Sequence, residues 1–396
     1  MGVLDFVICL LVLIVGYNLK NNYKDLTFND KKLLNKIFYF HFFMGVVFYL
    51  YITNFGGDAL YYWRAPKEID FNYLLDSILE KSSPNKIVYL VNYFPSNTLG
   101  LDFFTGNMLY CFFGYWSYIY FILTLRAINP LYERLGEIKI LGYSLVPMIF
   151  FLPNLHFWSS GLGKDTLLFF AISMFVYSIM KLKGRIHLLI SSFLISFLFR
   201  PHITLFMVAA FGFSSILNSK IHPVRKTLLM VIILIIFIPL LNSVLEFAKI
   251  DNLESDSIQD FAETKAGFLT KAGSGVDMSN YPLIIKIITF LYRPLFFDIN
   301  NMLAIIASVE NLFYVILTVK LLKSQPVLMF KRCNYIVKGS FYFFVIGAIA
   351  LSQIMSNFGI MIREKNMLLL PFCLFALSIF YQRTVVPKLQ AKNNVL

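Results

Sequence analysis

The chain is expected to fold as an all-α, polytopic transmembrane helical bundle, and three observations predict this. Of its 396 residues, 58% are hydrophobic and only 14% are charged. The apolar residues gather into runs approaching the ~20 residues that a helix needs to cross ~30 Å of hydrocarbon. The runs are continuous, not alternating as the strands of a membrane barrel would be. In lipid every backbone amide must be paired within its own segment, and a helix achieves that.

About eleven spans are expected from the length criterion. They centre on Val3–Leu19, Ile37–Asn54, Leu109–Ala127, Ile140–Pro153, Thr166–Leu182, Ile186–Phe199, Ile203–Leu217, Leu228–Glu246, Met302–Val319, Tyr335–Ser352 and Met367–Tyr381. The first run has no basic region ahead of it and carries Asp5 within it. It therefore reads as a retained span, not a cleaved signal peptide. Pro282–Phe297 is also apolar but is interrupted by Lys286 and Arg293, which suits an amphipathic or re-entrant helix. The whole chain, 1–396, reads as one integral membrane domain.

Charge assigns the sides. The net charge of +13 would suggest nucleic acid in a soluble protein. Here it is better explained by Lys and Arg holding short loops on the cytoplasmic side. Those loops carry Lys20–Lys36, Arg126–Lys139, Lys181–Arg185, Lys220–Lys226, Lys320–Lys338 and the tail from Arg383. The N-terminus is then outside and the C-terminus inside. Two long loops, Phe55–Met108 and Phe247–Asn301, fall outside, and long ordered loops are usually functional. Cys9, Cys111, Cys333 and Cys373 lie in or beside apolar runs, with neither a disulfide framework nor metal-ligand spacing.

The stretch FWSSGLGKDT, Phe157–Thr166, superficially suggests a nucleotide loop. The Walker pattern needs Gly, four residues, then Gly-Lys-Ser/Thr. Here Trp158 stands where the first Gly should be, and Asp165 follows Gly163-Lys164. Two readings remain open. Gly161 and Gly163 permit a sharp turn into a helix whose N-terminus, with Lys164, suits an anionic head group. Alternatively the stretch is an ordinary turn with a snorkelling Lys and an Asp cap.

Ionisable residues at or near the outer ends of spans form the sharper signal. These are His156, Lys164, Arg200 and His202 in FLFRPHITLF, Arg293 in LYRPLFFDINN, and Arg363 in MIREKN, with Glu310-Asn311 inside a span. A charge near bilayer depth costs at least ~2.5–3.5 kcal/mol at the centre, so such residues normally pair or line a polar cavity. A single Arg would be expected to snorkel. Several on one side point to a shared anionic ligand, and Arg suits phosphate through its planar two-donor fork. In the first long loop Asp58 and Arg64 flank Tyr61, Tyr62 and Trp63. That combination fits either a sugar-stacking site or an interfacial aromatic belt.

With Asp58, HFWSSGLGKD, FRPH, YRPLFFDINN, ASVENL and Arg363 in hand, the chain resembles bacterial polysaccharide polymerases of the Wzy and EpsG kind, encoded in capsule and O-antigen clusters. The resemblance runs from about the second span to the last. It lacks a single dominant loop repeat. What it implies is a multi-pass protein of the bacterial inner membrane that joins undecaprenyl-pyrophosphate-linked oligosaccharide repeat units at the outer face. No cofactor, metal or nucleic acid is implied. The partners are the lipid-linked oligosaccharide, membrane lipids and other polysaccharide-assembly proteins.

In that reaction the leaving group carries the developing negative charge. Lys164, Arg200, Arg293 and Arg363 are the expected cations, with Arg64, Tyr62 and Trp63 on the sugar. Asp58, His156, Asp165 and His202 are the candidate bases for the acceptor hydroxyl. Two alternatives share the membrane setting. One is a glycosyltransferase using a polyprenyl-phosphate sugar. The other is a flippase for lipid-linked oligosaccharide, which would be expected to show repeated halves and charges along a path through the bilayer.

Overall fold

Helices make up most of the chain in the computed structural model, which describes residues 2–79, 85–218, 223–248, 255–270, 274–299 and 302–393. In order they are α1 Val3–Leu19, α2 Phe28–Phe55, α3 Asp58–Arg64, α4 Phe71–Leu79, α5 Lys86–Asn92 and α6 Phe103–Ile128. A two-strand hairpin follows, β1 Lys139–Ile140 and β2 Tyr143–Ser144. The chain continues through α7 Leu145–Met148, α8 Pro153–Ser160, α9 Lys164–Ile179, α10 Ile186–Phe199, α11 Pro201–Asn218 and α12 Pro223–Ala248. It ends with α13 Ser255–Thr270, α14 Leu283–Tyr292, α15 Met302–Lys323, α16 Pro326–Arg332, α17 Tyr335–Ile354, α18 Phe358–Phe380 and α19 Val386–Asn393.

Among the described residues, seven helical segments are long and apolar enough to cross a membrane. They are Val3–Asn22, Phe28–Phe55, Phe103–Ile128, Lys226–Leu245, Met302–Lys323, Tyr335–Ile354 and Phe358–Ala391. The protein is a multi-span, all-α membrane bundle. Where about eleven spans were expected, seven helices among the described residues meet the length and composition criterion. Ile186–Phe199, Pro201–Leu217 and Leu283–Tyr292 are shorter apolar helices. At 1.5 Å per residue, the ten residues of α14 reach only about 15 Å. Both long loops contain helix: α3, α4 and α5 in the first, α13 and α14 in the second. Parts of both loops, and Lys220 among the expected cytoplasmic bases, lie outside the described residues.

The chain divides into two compact units, one made of Met1–Thr124 and Leu155–Arg200, the other of Leu125–Asn154 and Pro201–Leu396. In the first, α9 is the innermost element, for every residue from Lys164 to Ser178 is buried. A helix that is apolar all round belongs inside protein. Phe113 and Trp116 of α6 meet Phe170 of α9 with ring centroids 5.4 Å apart in both cases. Tyr120 and Tyr177 stack at 4.9 Å further along the same pair. Asp5, the charge inside the first span, is buried for a reason. Its carboxylate accepts from the Thr105 hydroxyl at 2.6 Å, the Asp102 amide at 2.8 Å and the Gly2 amide at 3.0 Å. It thereby ties α1 to the start of α6.

The second unit is built on α18, buried continuously from Glu364 to Phe380. The expected span Ile140–Pro153 is not a helix: it is the hairpin, the single turn α7 and a short connection. The residues that flank the segment are nevertheless tied to the last helices, Glu137 to α19 and Asn154 to α18. Lys388 Nζ donates to Glu137 Oε2 at 2.7 Å, and Asn366 Nδ2 donates to the Asn154 carbonyl at 3.0 Å. Those anchors are separated by about 30 Å of helix at 1.5 Å per residue. Irregular backbone at such depth is tolerated where protein covers it. Ile140, Leu145, Ile149 and Phe150 are all buried. Hydropathy found the apolar run, but Gly142, Pro147 and Pro153 keep it from becoming one helix.

Candidate functional site

The first unit gathers a polar cluster at the start of α9. Lys164 Nζ donates to Asn85 Oδ1 at 2.7 Å and lies 5.8 Å from the centre of the Tyr62 ring. Tyr62 donates its hydroxyl to the same Asn85 oxygen at 3.4 Å. Arg200 Nη2 donates to Asp165 Oδ1 at 3.0 Å, with side-chain exposures of 12% and 8%. Two cations, one carboxylate and one amide are thus largely withdrawn from solvent within one unit. In such surroundings a charge acts through a lower dielectric, and its interactions strengthen.

The local sequence explains the placement. α8 and α9 are separated only by Gly161, Leu162 and Gly163. A Cβ on Gly161 would fall 2.3 Å from the Phe48 ring, so this glycine is required by space. Gly163 is different. Its φ of 162° is extended backbone, and nothing lies within 4 Å of an added Cβ. The chain does bend sharply through Gly161, Leu162 and Gly163, as expected, but only Gly161 must be a glycine, for close packing. The Leu162 amide is fixed by Asn107 Oδ1 at 3.0 Å, and Asn107 Nδ2 is anchored on the Gly45 carbonyl at 2.9 Å.

The aromatic stretch of the first loop splits by burial. Trp63 is 2% exposed and donates Nε1–H to the Leu101 carbonyl at 3.1 Å, so its indole belongs to the core. Tyr62 is buried as well, whereas Tyr61 is 62% exposed. Asp58 and Arg64 are exposed at the two ends of α3. His156 is wholly buried, with its Nδ1 2.9 Å from Nδ1 of His41.

The other candidates lie in the second unit. Arg293 holds Asp298 with two parallel hydrogen bonds, from Nε at 3.0 Å and from Nη2 at 2.5 Å. Its guanidinium also faces Phe358 at 4.9 Å and Phe297 at 5.4 Å. Burial raises the Asp298 pKa, but Arg293 and the Leu295 amide lower it further, and the net direction is down. Arg363 lies inside α18, not between spans, because that helix begins at Phe358. His202 is half-buried in the first turn of α11, its ring 5.9 Å from Phe206.

This unit also holds a buried network that the charge pattern only hinted at. Glu310 Oε2 accepts from the Asn154 amide at 2.7 Å, and its Oε1 accepts from the Tyr314 hydroxyl at 3.3 Å. Lys365 donates to Asn311 Oδ1 and to the Leu291 carbonyl. Glu310 therefore accepts from a backbone amide in the first turn of α8. Lys365, two residues after the recognised Arg363, was the missed residue, and the charged triplet Arg363–Lys365 was its signal. In the first unit the missed residues are Asn85 and His41. Among the described residues no group of three or more His, Cys, Asp or Glu could hold a metal ion.

Fold and site together define a polytopic helical membrane protein with buried, paired charges. Compared with protein-family models, with curated proteins and with solved structures, the chain matches none.

Proposed function

We propose that the protein extends a polysaccharide by transferring an oligosaccharide from an undecaprenyl-pyrophosphate carrier to a second lipid-linked unit, at the outer face of a bacterial inner membrane. The observation that carries this reading is the cluster of Lys164, Arg200, Asp165, Asn85 and Tyr62 in one unit. Its two cations have the chemistry that a departing diphosphate requires. As the anomeric C–O bond breaks, the electron pair moves onto the diphosphate, and fixed cations in a low-dielectric site stabilise that charge. The aromatic first loop beside Asn85, with Tyr61 exposed, offers a surface to sugar rings. The charge asymmetry of the loops supports the outer location of this end.

The reading is tested in proteoliposomes supplied with a single lipid-linked repeat unit, using wild type, Arg200→Ala and Lys164→Ala. Growth of chain length by wild type and its loss in both variants supports it. Transfer of one sugar without further growth indicates the single-addition glycosyltransferase instead.

A further inference from the structure

α14 is too short to span a membrane, yet its end is held among helices that are long enough. α15, α17 and α18 each lie in a segment with the length and apolarity to cross. Crossing in turn, they start α15 and α18 from the same membrane face. On α15, Asn311 stands nine residues after Met302, about 13 Å from that end at 1.5 Å per residue. On α18, Lys365 stands seven residues after Phe358, about 10 Å from that end. These two side chains, 1% and 2% exposed, receive the end of α14. Lys365 Nζ donates to the Leu291 carbonyl at 3.3 Å and also to Asn311 Oδ1. Asn311 Nδ2 donates to the Pro294 carbonyl at 2.7 Å.

The chain reversal that follows is satisfied in the same way. The last carbonyls of a helix have no partner within it, and Pro294 brings no amide to meet them. The Leu295 amide donates to Asp298 Oδ2 at 2.9 Å, and the Asp298 amide donates to the Leu295 carbonyl at 2.7 Å. Backbone that leaves the helical state at membrane depth needs such partners from protein. The Arg293 side chain extends back toward the face. Its guanidinium lies 4.9 Å from the ring of Phe358, the first residue of α18, and there it holds Asp298.

One side of α14 lies against protein, with Thr289 and Phe290 buried. The other carries Leu283, Ile284, Ile285 and Ile288, between 44% and 69% exposed. An apolar strip on a helix of about 15 Å matches the acyl chains of one leaflet, half of ~30 Å of hydrocarbon.

We infer that residues 282–299 form a re-entrant hairpin whose exposed side meets the acyl chains of a single leaflet. α14 descends from the face where α15 and α18 begin, the chain turns at Arg293-Pro294, and it returns by Asp298. Lys365 and Asn311 are the anchors that hold the turn at depth. None of this depends on the reaction proposed above.

The test uses the full chain in proteoliposomes, with a nitroxide on one added cysteine at a time: Ile284→Cys, Ile288→Cys or Phe297→Cys. The unsubstituted protein, whose own cysteines are buried, supplies the background. Depth is read from collisions with oxygen, which concentrates in hydrocarbon, and with a water-soluble nickel chelate. The label at Ile288→Cys should be deeper than that at Ile284→Cys, by up to about 6 Å for four residues along the membrane normal. The label at Phe297→Cys should be shallower again. Equal depths at 284 and 288 describe a helix lying along the surface and overturn the inference. Passage at 297 toward the opposite face describes a crossing segment and overturns it too.

Lys365→Met and Asn311→Leu keep side-chain bulk and remove the donors. Each should move the Ile288→Cys label toward the water phase. An unchanged depth in either folded variant overturns the anchoring. The three labels in otherwise unsubstituted protein decide the hairpin even where an anchor variant does not fold.

Discussion

Arg200 and Asp165 face each other at 3.0 Å, from the end of α10 and the first turn of α9, with both side chains largely buried. Removing one member of a buried pair strands the other, at a cost of about 3–5 kcal/mol. Arg200→Ala and Asp165→Ala should therefore each destabilise the protein more than the double variant implies by addition. A double-mutant cycle on thermal unfolding in detergent should show a coupling of at least ~1 kcal/mol. Strict additivity would mean that the two groups do not depend on each other.

The glycines of the α8–α9 connection should behave unequally. Gly161→Ala drives a methyl into the Phe48 ring, where overpacking typically costs about 1–3 kcal/mol. Gly163→Ala meets open space on extended backbone and should be nearly silent. Melting temperatures of the two variants check this, and equal losses would contradict the packing described.

Asp5 joins α1 to α6 through a hydroxyl and backbone amides. Hydrogen bonds to a charged group contribute about 1.5–3 kcal/mol each, so Asp5→Ala should loosen α1. Limited proteolysis or hydrogen exchange over residues 2–22 reads the effect. Protection equal to wild type would show that lipid-facing contacts alone hold this helix.

The Arg293–Asp298 bridge carries a pH dependence of known sign. Asp298 has its pKa lowered in the folded protein, where burial raises it but Arg293 and the Leu295 amide lower it more. Its stabilisation is therefore complete above the ordinary Asp value of 3.8 and is lost as pH falls through the lower folded value. Arg293 is partly exposed, at 23% of its side chain, so solvent screening keeps the contribution to about 1 kcal/mol or less. Asp298→Asn should remove that part of the acid dependence of the melting temperature. An unchanged acid limb in Asp298→Asn would assign it to other carboxylates.

Much of the site was legible because charge in an apolar sequence is conspicuous. Lys164, Asp165 and Arg200 stand out against their neighbours, and the structure brings them to one end of one unit. Asn85 and His41 carry no such signal, since their significance lies in what they meet across tens of residues. The fold was legible where an apolar run was long, as in Met302–Val319. It was not at Ile140–Pro153, and at Thr166–Leu182 the helix was legible but its burial in protein was not. Hydropathy reports that a segment avoids water, and it cannot distinguish lipid from protein as the cover. Tyr62 and Trp63 illustrate the same limit, for they read as a surface and are buried.

The central claim is that Lys164 and Arg200 hold the diphosphate of a lipid-linked donor. Its most direct test is the binding of undecaprenyl diphosphate to the purified protein in nanodiscs, measured for wild type, Lys164→Ala, Arg200→Ala and the charge-keeping Arg200→Lys. The account predicts saturable binding by wild type and at least a tenfold loss in each Ala variant. Arg200→Lys should fall between them, since an ammonium keeps the charge but not the fork. Equal affinity across all four proteins would contradict it.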